Sequence, residues 1–186
     1  MGRVAATPAG AGSAGPLTSA GMAVDTSAVG TVSGRSVVTV ERGPAARFAL
    51  AVKDPSPVYQ DPRAAAEAGF ERIPTPPTWP FSMGFWGTFP EAQEGLEPVG
   101  PNPMWSVMAG LGPGLILHGE QEFEFHRPVL VGDVLRGEDV LTDVYEKDGP
   151  GVVMTFIVTE TTWKDANTGE PVVTARFNLI HRAKKT

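Results

Sequence analysis

The chain has no cysteine. That excludes disulfides, thiolate zinc sites, iron–sulfur ligation and a cysteine nucleophile, and it fits a reducing compartment. Histidine is scarce as well, with only His118, His126 and His181 in 186 residues. Positive charge is not in excess. The formal net charge is −6, which argues against a nucleic-acid partner, because phosphate contacts are built from clustered Lys and Arg. The one basic cluster, Arg182, Lys184 and Lys185, reads as a solvated end. No run approaches the roughly 20 apolar residues needed to span a bilayer, and residues 1–34 lack the apolar core of a secretory signal. A cytoplasmic protein with no membrane partner is expected, long enough for one domain with a real core.

Residues 1–34 are dominated by Gly, Ala, Ser, Thr and Pro. Such a segment buries too little apolar area to offset its ordering entropy. It is expected to be a disordered leader, with Met22 as a possible natural start, and residues 35–186 to form the single folded domain. Ser36–Val40 has the composition of a short strand. Ala45, Phe48, Ala49 and Val52 then recur at i, i+3, i+4 and i+7, which predicts a helix. Pro55 and Pro57 end it. Asp61 as N-cap, Pro62 as first residue and Gly69 as stop predict a second, short helix. Ile73–Pro80 is a proline-set loop. Phe81–Phe89 suits a helix except at Gly84 and Gly87, and Glu91–Gly114 reads as a long surface excursion.

From Ile116 the period changes to two. Phe123 and Phe125 share one face, and Glu120, Glu122, Glu124 and the flanking histidines His118 and His126 share the other. Val134–Tyr145, Val152–Lys164 and Val172–Arg182 follow as long strands, joined by turns at Lys147–Pro150 and Asn167–Gly169. The order is strand, helices, then four consecutive strands, an α+β plan with helices on one face of an antiparallel sheet.

One segment has chemistry in it. Lys53-Asp54-Pro55-Ser56-Pro57-Val58-Tyr59-Gln60-Asp61 precedes Ala64-Ala65-Ala66 and Gly69-Phe70. It resembles the motif of MaoC-like hydratases, Gly-Asp-x-Asn-Pro-Leu-His with an Asp two residues on. Asp54, Pro57, Val58 and Asp61 match its Asp, Pro, Leu and trailing Asp. Lys53 replaces the glycine, Ser56 the asparagine and Tyr59 the catalytic histidine. The block His118–Pro128 with Gly132-Asp133 is similar to a strand of the N-terminal, FAS1-like dehydratase branch, and Val144–Lys147 and Val172–Arg176 fit the same branch. The resemblance spans about residues 35–182. It implies a single hot-dog domain, a long antiparallel sheet wrapped round a central helix that begins near Thr78.

The resemblance also implies an acyl-CoA or acyl-carrier-protein substrate, no cofactor and no metal. Hydrating an α,β-unsaturated thioester requires a base for water, an acid for the α-carbon and donors for the enolate-like oxygen. In this family an aspartate and a histidine share the proton work, which places Asp54 and Tyr59 at the catalytic positions. The resemblance further points to Pro57, Pro77, Thr78, Trp79 and Phe81 as substrate contacts, although Thr78–Phe81, like Met104-Trp105, is equally suited to core and loop packing. Tyr59 is a poor base: a phenol is roughly 0.1% ionised at neutral pH, and a shift of about 3 units would cost roughly 4 kcal/mol.

The leading expectation is therefore the degenerate half of an enoyl-thioester hydratase or 3-hydroxyacyl-thioester dehydratase. It would shape the acyl tunnel and pair with a second MaoC-like hot-dog subunit that has an intact motif. The alternatives are a self-sufficient homodimeric hydratase using Asp54 with Tyr59 or His118, a non-catalytic acyl-thioester binding or scaffold protein, and a hot-dog thioesterase. The histidines and glutamates near residue 120 have the look of a metal site but suit a polar strand face better, and His181 is expected to be structural.

Overall fold

The computed structural model describes residue 24, residues 26–100 and residues 102–185. Most of the expected leader lies outside these residues. Within its last part, residues 27–30 form a turn and strand β1 begins at Val32.

Five strands form one antiparallel sheet in the order β1-β3-β4-β5-β2. They are β1 (Val32–Thr39), β2 (Leu115–Phe125), β3 (Val134–Gly149), β4 (Val152–Asp165) and β5 (Pro171–Lys184). Long apolar alternation and tight turns account for the last three. Pro150-Gly151 closes β3 onto β4, with Gly151 at φ 69°, where a side chain would be strained. Between β4 and β5 the Asp165 carboxylate accepts from the N–H groups of Asn167 and Thr168, an Asx turn. These bonds, with Arg127 beside them, hold its carboxyl below the usual value.

The helices lie on one face of this sheet. α1 (Arg42–Ala51) buries Ala45 and Ala49, and α2 (Pro62–Glu67) is capped by Asp61, whose side chain accepts from Arg63 N–H. α3 (Trp79–Trp86) follows the Thr78 cap and buries Trp79, Pro80 and Met83. It is the central helix of the hot-dog plan, and it starts where expected. Gly87 ends it at a close approach: a Cβ there would lie 2.2 Å from the Thr39 carbonyl oxygen. The loop expected over 91–114 is corrected by the structure. It contains a 3₁₀ turn (Pro90–Gln93) and α4 (Pro103–Gly110), with Asn102 capping Met104 N–H and Val107 buried. The Asn-Pro pair is a helix-start signal that the surrounding Gly and Pro obscured.

Two hydrophobic clusters lie side by side on the covered face. Under α3, Trp79 and Met83 pack with Val38, Leu135, Val172 and Val173. Under α4, Val107 packs with Leu141, Val144 and Ile157. The segment leading into α3 is pinned by a buried charge. The Asp133 carboxylate accepts from Arg72 and from Arg127, each at 2.6 Å, and from the Leu130 N–H at 3.0 Å. Thr75 N–H donates to the Val129 carbonyl and Val131 N–H to that of Ile73, so the proline-set loop is stitched to the approach to β3.

Asp133→Ala removes a buried acceptor with three donors. Both arginines are partly exposed, so the expected loss is discounted to about 2–3 kcal/mol. Urea unfolding of the variant checks it, and a loss below about 0.5 kcal/mol would show that the network is dispensable.

Candidate active site

The motif segment begins with the end of α1. Lys53 N–H donates to the Leu50 carbonyl and Asp54 N–H to that of Ala49, the paired bonds of a Schellman cap. This places Lys53 in the left-handed region, at φ 60°. Glycine is the usual residue there, which gives a physical reason for the motif's glycine and shows that Lys53 bears a strain in its place. Asp54 leaves the cap with its carboxylate accepting from Ser56 N–H at 3.1 Å. Pro57–Tyr59 forms a single 3₁₀ turn. Gln60 ties this turn to α1, its side chain donating to the Ala46 carbonyl and its own carbonyl accepting from Arg42.

The result is that the Asp54 carboxylate faces the Tyr59 hydroxyl. Burial raises the Tyr59 pKa above its ordinary value of 10, and the Asp54 charge and hydrogen bond raise it further. The pair thus holds the phenol protonated. A carboxylate beside an imidazole favours the protonated ring, and beside a phenol it favours the neutral form.

Space for a ligand lies elsewhere, between the two hydrophobic clusters. A cleft of about 230 Å³ runs between α3, the start of α4 and all five strands. Phe81, Met104, Trp163 and Phe177 are among its apolar walls; Ser33, Asn102, Gln121, Asp139, Thr159 and Thr161 make a polar belt. Gly84 opens toward it, with nothing within 4 Å of where a Cβ would be, so the helix-weakening glycine leaves room over the sheet. Neither Asp54 nor Tyr59 lines this cleft.

The residues expected to contact substrate separate accordingly. Phe81 lines the cleft. Trp79 is buried in the core, its ring edge-on to Phe48 at 5.4 Å. Pro57, Pro77 and Thr78 are exposed on the turns before α2 and α3.

The histidines also separate. His118 pairs with Leu179 and Gln121 with Phe177, so β2 uses one residue more than β5 between them. This bulge moves His118 off the glutamate face and onto the covered face, where its ring packs against Phe81 at 5.1 Å and Phe177 at 4.7 Å. Strict alternation placed it with Glu122 and Glu124; the bulge at Gly119-Glu120 corrects that. His126 stays on the glutamate face, bonded to the Thr174 hydroxyl at 3.1 Å. His181 is buried and its Nε2 meets the Gly112 carbonyl at 3.2 Å. No three potential ligands among the described residues converge as a metal site would require.

Comparison with known proteins places this geometry. A profile of the FAS1-like dehydratase domain region matches residues 27–175. The chain belongs to that family. Curated relatives include a UPF0336 protein of Saccharopolyspora erythraea, 32% identical over 73% of this chain and 76% of that one. Another, of Streptomyces avermitilis, is 35% identical over 73% and 79%. A probable enoyl-CoA hydratase alpha subunit of Thermomonospora curvata is 30% identical over 73% of this chain and 43% of its own length. Among solved structures, the HadBC 3R-hydroxyacyl-ACP dehydratase complex of Mycobacterium tuberculosis matches with TM-score 0.61 at 24% identity, over 82% of this chain and 96% of that one. The ChsH1–ChsH2 complex of the same organism matches with TM-score 0.63 at 21% identity, over 83% and 86%. The fold is the MaoC-like hot-dog fold, and two-chain complexes are among its solved examples. No helix among the described residues is long and apolar enough to cross a membrane.

The strain at Lys53 gives a direct check on the motif's backbone. Lys53→Gly is expected to stabilise the protein by about 0.5–1 kcal/mol, read as a higher urea midpoint. An unchanged or lower midpoint would contradict the left-handed assignment.

Proposed function

We propose that the chain is the non-catalytic half of an enoyl-thioester hydratase or 3-hydroxyacyl-thioester dehydratase, acting on an acyl-CoA or acyl-carrier-protein ester. It shapes the acyl site beside a second MaoC-like chain that holds the intact Asp/His pair. The observation that carries this reading is the Asp54–Tyr59 contact. The turn that should present a base presents a phenol, and burial, with the Asp54 carboxylate beside it, keeps that phenol protonated. The reaction needs a group able to take a proton from water near neutral pH. His118, the other candidate partner for Asp54, sits on β2 with its ring against Phe81 and Phe177, both lining the cleft and not the motif turn.

Surface chemistry supports a second chain. Among the described residues β2 is an edge strand, paired with β5 alone. Leu115, Ile116 and Leu117 stand exposed at its start, and Phe85 and Trp86 of α3 are 77% and 59% exposed. An unpaired edge with neighbouring apolar side chains is what a partner covers. The name of the Thermomonospora relative, an alpha subunit, agrees with such a division of labour.

The purified chain is expected to be inactive on trans-2-enoyl-CoA and to become part of an active enzyme when mixed with a MaoC-like chain carrying the complete motif. Within that pair, Asp54→Asn should change turnover by less than about threefold, because an aspartate in the proton relay would be worth about 10²–10⁴. Full hydratase activity of the chain alone would overturn the reading. Binding of acyl-CoA with no turnover in any pairing would replace it with a thioester-binding protein, and free thiol release from acyl-CoA with a thioesterase.

A further inference from the structure

Asp139 is a carboxylate in the wall of the cleft that nothing in the proposed chemistry uses. It projects from β3 onto the covered face, where it is paired in register with Thr161 and Gly34. Its Oδ1 accepts from the Thr161 hydroxyl at 2.5 Å. Its Oδ2 lies over Gly34, where an added Cβ would be 2.7 Å away; the missing side chain gives it room. No Lys or Arg among the described residues forms an ion pair with it. Burial raises its pKa, opposed by the Thr161 hydroxyl.

A carboxylate offers about four acceptor positions, and here one is filled by a protein donor. Asp139 lines the cleft, so its remaining acceptor positions are open to a donor on a guest. The rest of the cleft wall mixes hydroxyls and amides (Ser33, Thr159, Asn102 and Gln121) with apolar Phe81, Met104, Trp163 and Phe177, which suits an acyl chain that carries a polar group.

We propose that Asp139 is a specificity-determining residue of this cleft, selecting an acyl group that carries a hydroxyl along its chain over a plain alkyl chain. The guest hydroxyl donates to the unfilled side of the carboxylate, and the belt of Thr159, Gln121 and Asn102 solvates the remainder. The inference rests on the thioester reading for the carrier, and on the cleft alone for the donor.

Two series of probes separate these parts. Calorimetry compares octanoyl-CoA with octanoyl-CoA hydroxylated at carbon 4, 6 or 8. Amide NMR shifts at Gln121, Thr159 and Thr161 compare 1-octanol with 1,8-octanediol, which have no thioester. The full chain is expected to bind the best hydroxylated thioester about tenfold more tightly than the alkyl one, the worth of one charge-assisted hydrogen bond. The preference should vanish or reverse in Asp139→Val and persist in part in Asp139→Asn, which retains an acceptor. Neither variant should melt lower than the parent, since an under-bonded acid is being removed; this separates a selective role from a structural one. If no thioester binds but the diol is preferred in an Asp139-dependent way, the donor assignment stands and the thioester reading falls. Equal or weaker binding of the hydroxylated member in both series, or a preference unchanged in Asp139→Val, overturns the proposal. So does a loss of affinity for CoA itself in Asp139→Val with no discrimination between acyl chains, because the donor would then be a pantetheine amide.

Discussion

The buried Asp133 carboxylate is the constraint from which the rest of the architecture follows. It gathers Arg72, Arg127 and the Leu130 amide at one point. Arg127 also reaches Asp165 at 2.9 Å, so the proline-set loop, the approach to β3 and the β4–β5 hairpin are locked together. Gly132, at φ 88°, turns the chain into this position, and its N–H donates to the Val40 carbonyl while Val40 N–H donates to that of Asp133. The end of β1 is fixed by the same anchor. With Ile73–Pro76 held, α3 starts at Trp79 over the sheet, and the cleft is what remains between α3 and α4. An acid with this many donors is stable as a charge even when buried, which is why a polar residue can anchor the loop without the sheet losing its dry core.

Much of this was legible in the residues. Alternation and turn chemistry marked the three long strands, and the Asp61-Pro62 and Gly69 signals marked α2. The resemblance in Lys53–Phe70 located the family and the central helix. Three things were not legible. α4 is short and lies in a stretch rich in Gly and Pro, where propensity opposes it; it persists because Val107 and Met104 cover the second cluster, a tertiary gain invisible to local pattern. The bulge in β2 has no strong local signal beyond Gly119, yet it changes the face of His118. Asp139 shares the period-two face of Leu135 and Leu141, but a lone acid on that face does not by itself announce a cleft. Only the pairing of β1 with β3, which brings Gly34 opposite it, makes it a cleft residue.

The motif turn and the cleft have different physical characters. The turn keeps the backbone plan of a hydratase motif: the cap, the aspartate, the proline and the 3₁₀ turn are present. Its reactive end is changed from a group that accepts a proton near neutrality to one that holds its own. The cleft, by contrast, is well furnished with contacts, aromatic and thioether groups interspersed with hydroxyls and amides. Under the proposed function, a second chain would cover the exposed β2 edge and supply the base.

The proposal rests on Tyr59 being unable to serve as a base where the motif has its histidine, and the ionisation of Tyr59 tests that most directly. The chain has two tyrosines, Tyr59 and Tyr145, so ring-labelled tyrosine NMR with Tyr145→Phe gives a single signal to follow with pH. The account predicts that Tyr59 remains protonated through neutrality and titrates above the ordinary phenol value of about 10. A Tyr59 titration near pH 7 would contradict it, and would return the proton chemistry to this chain.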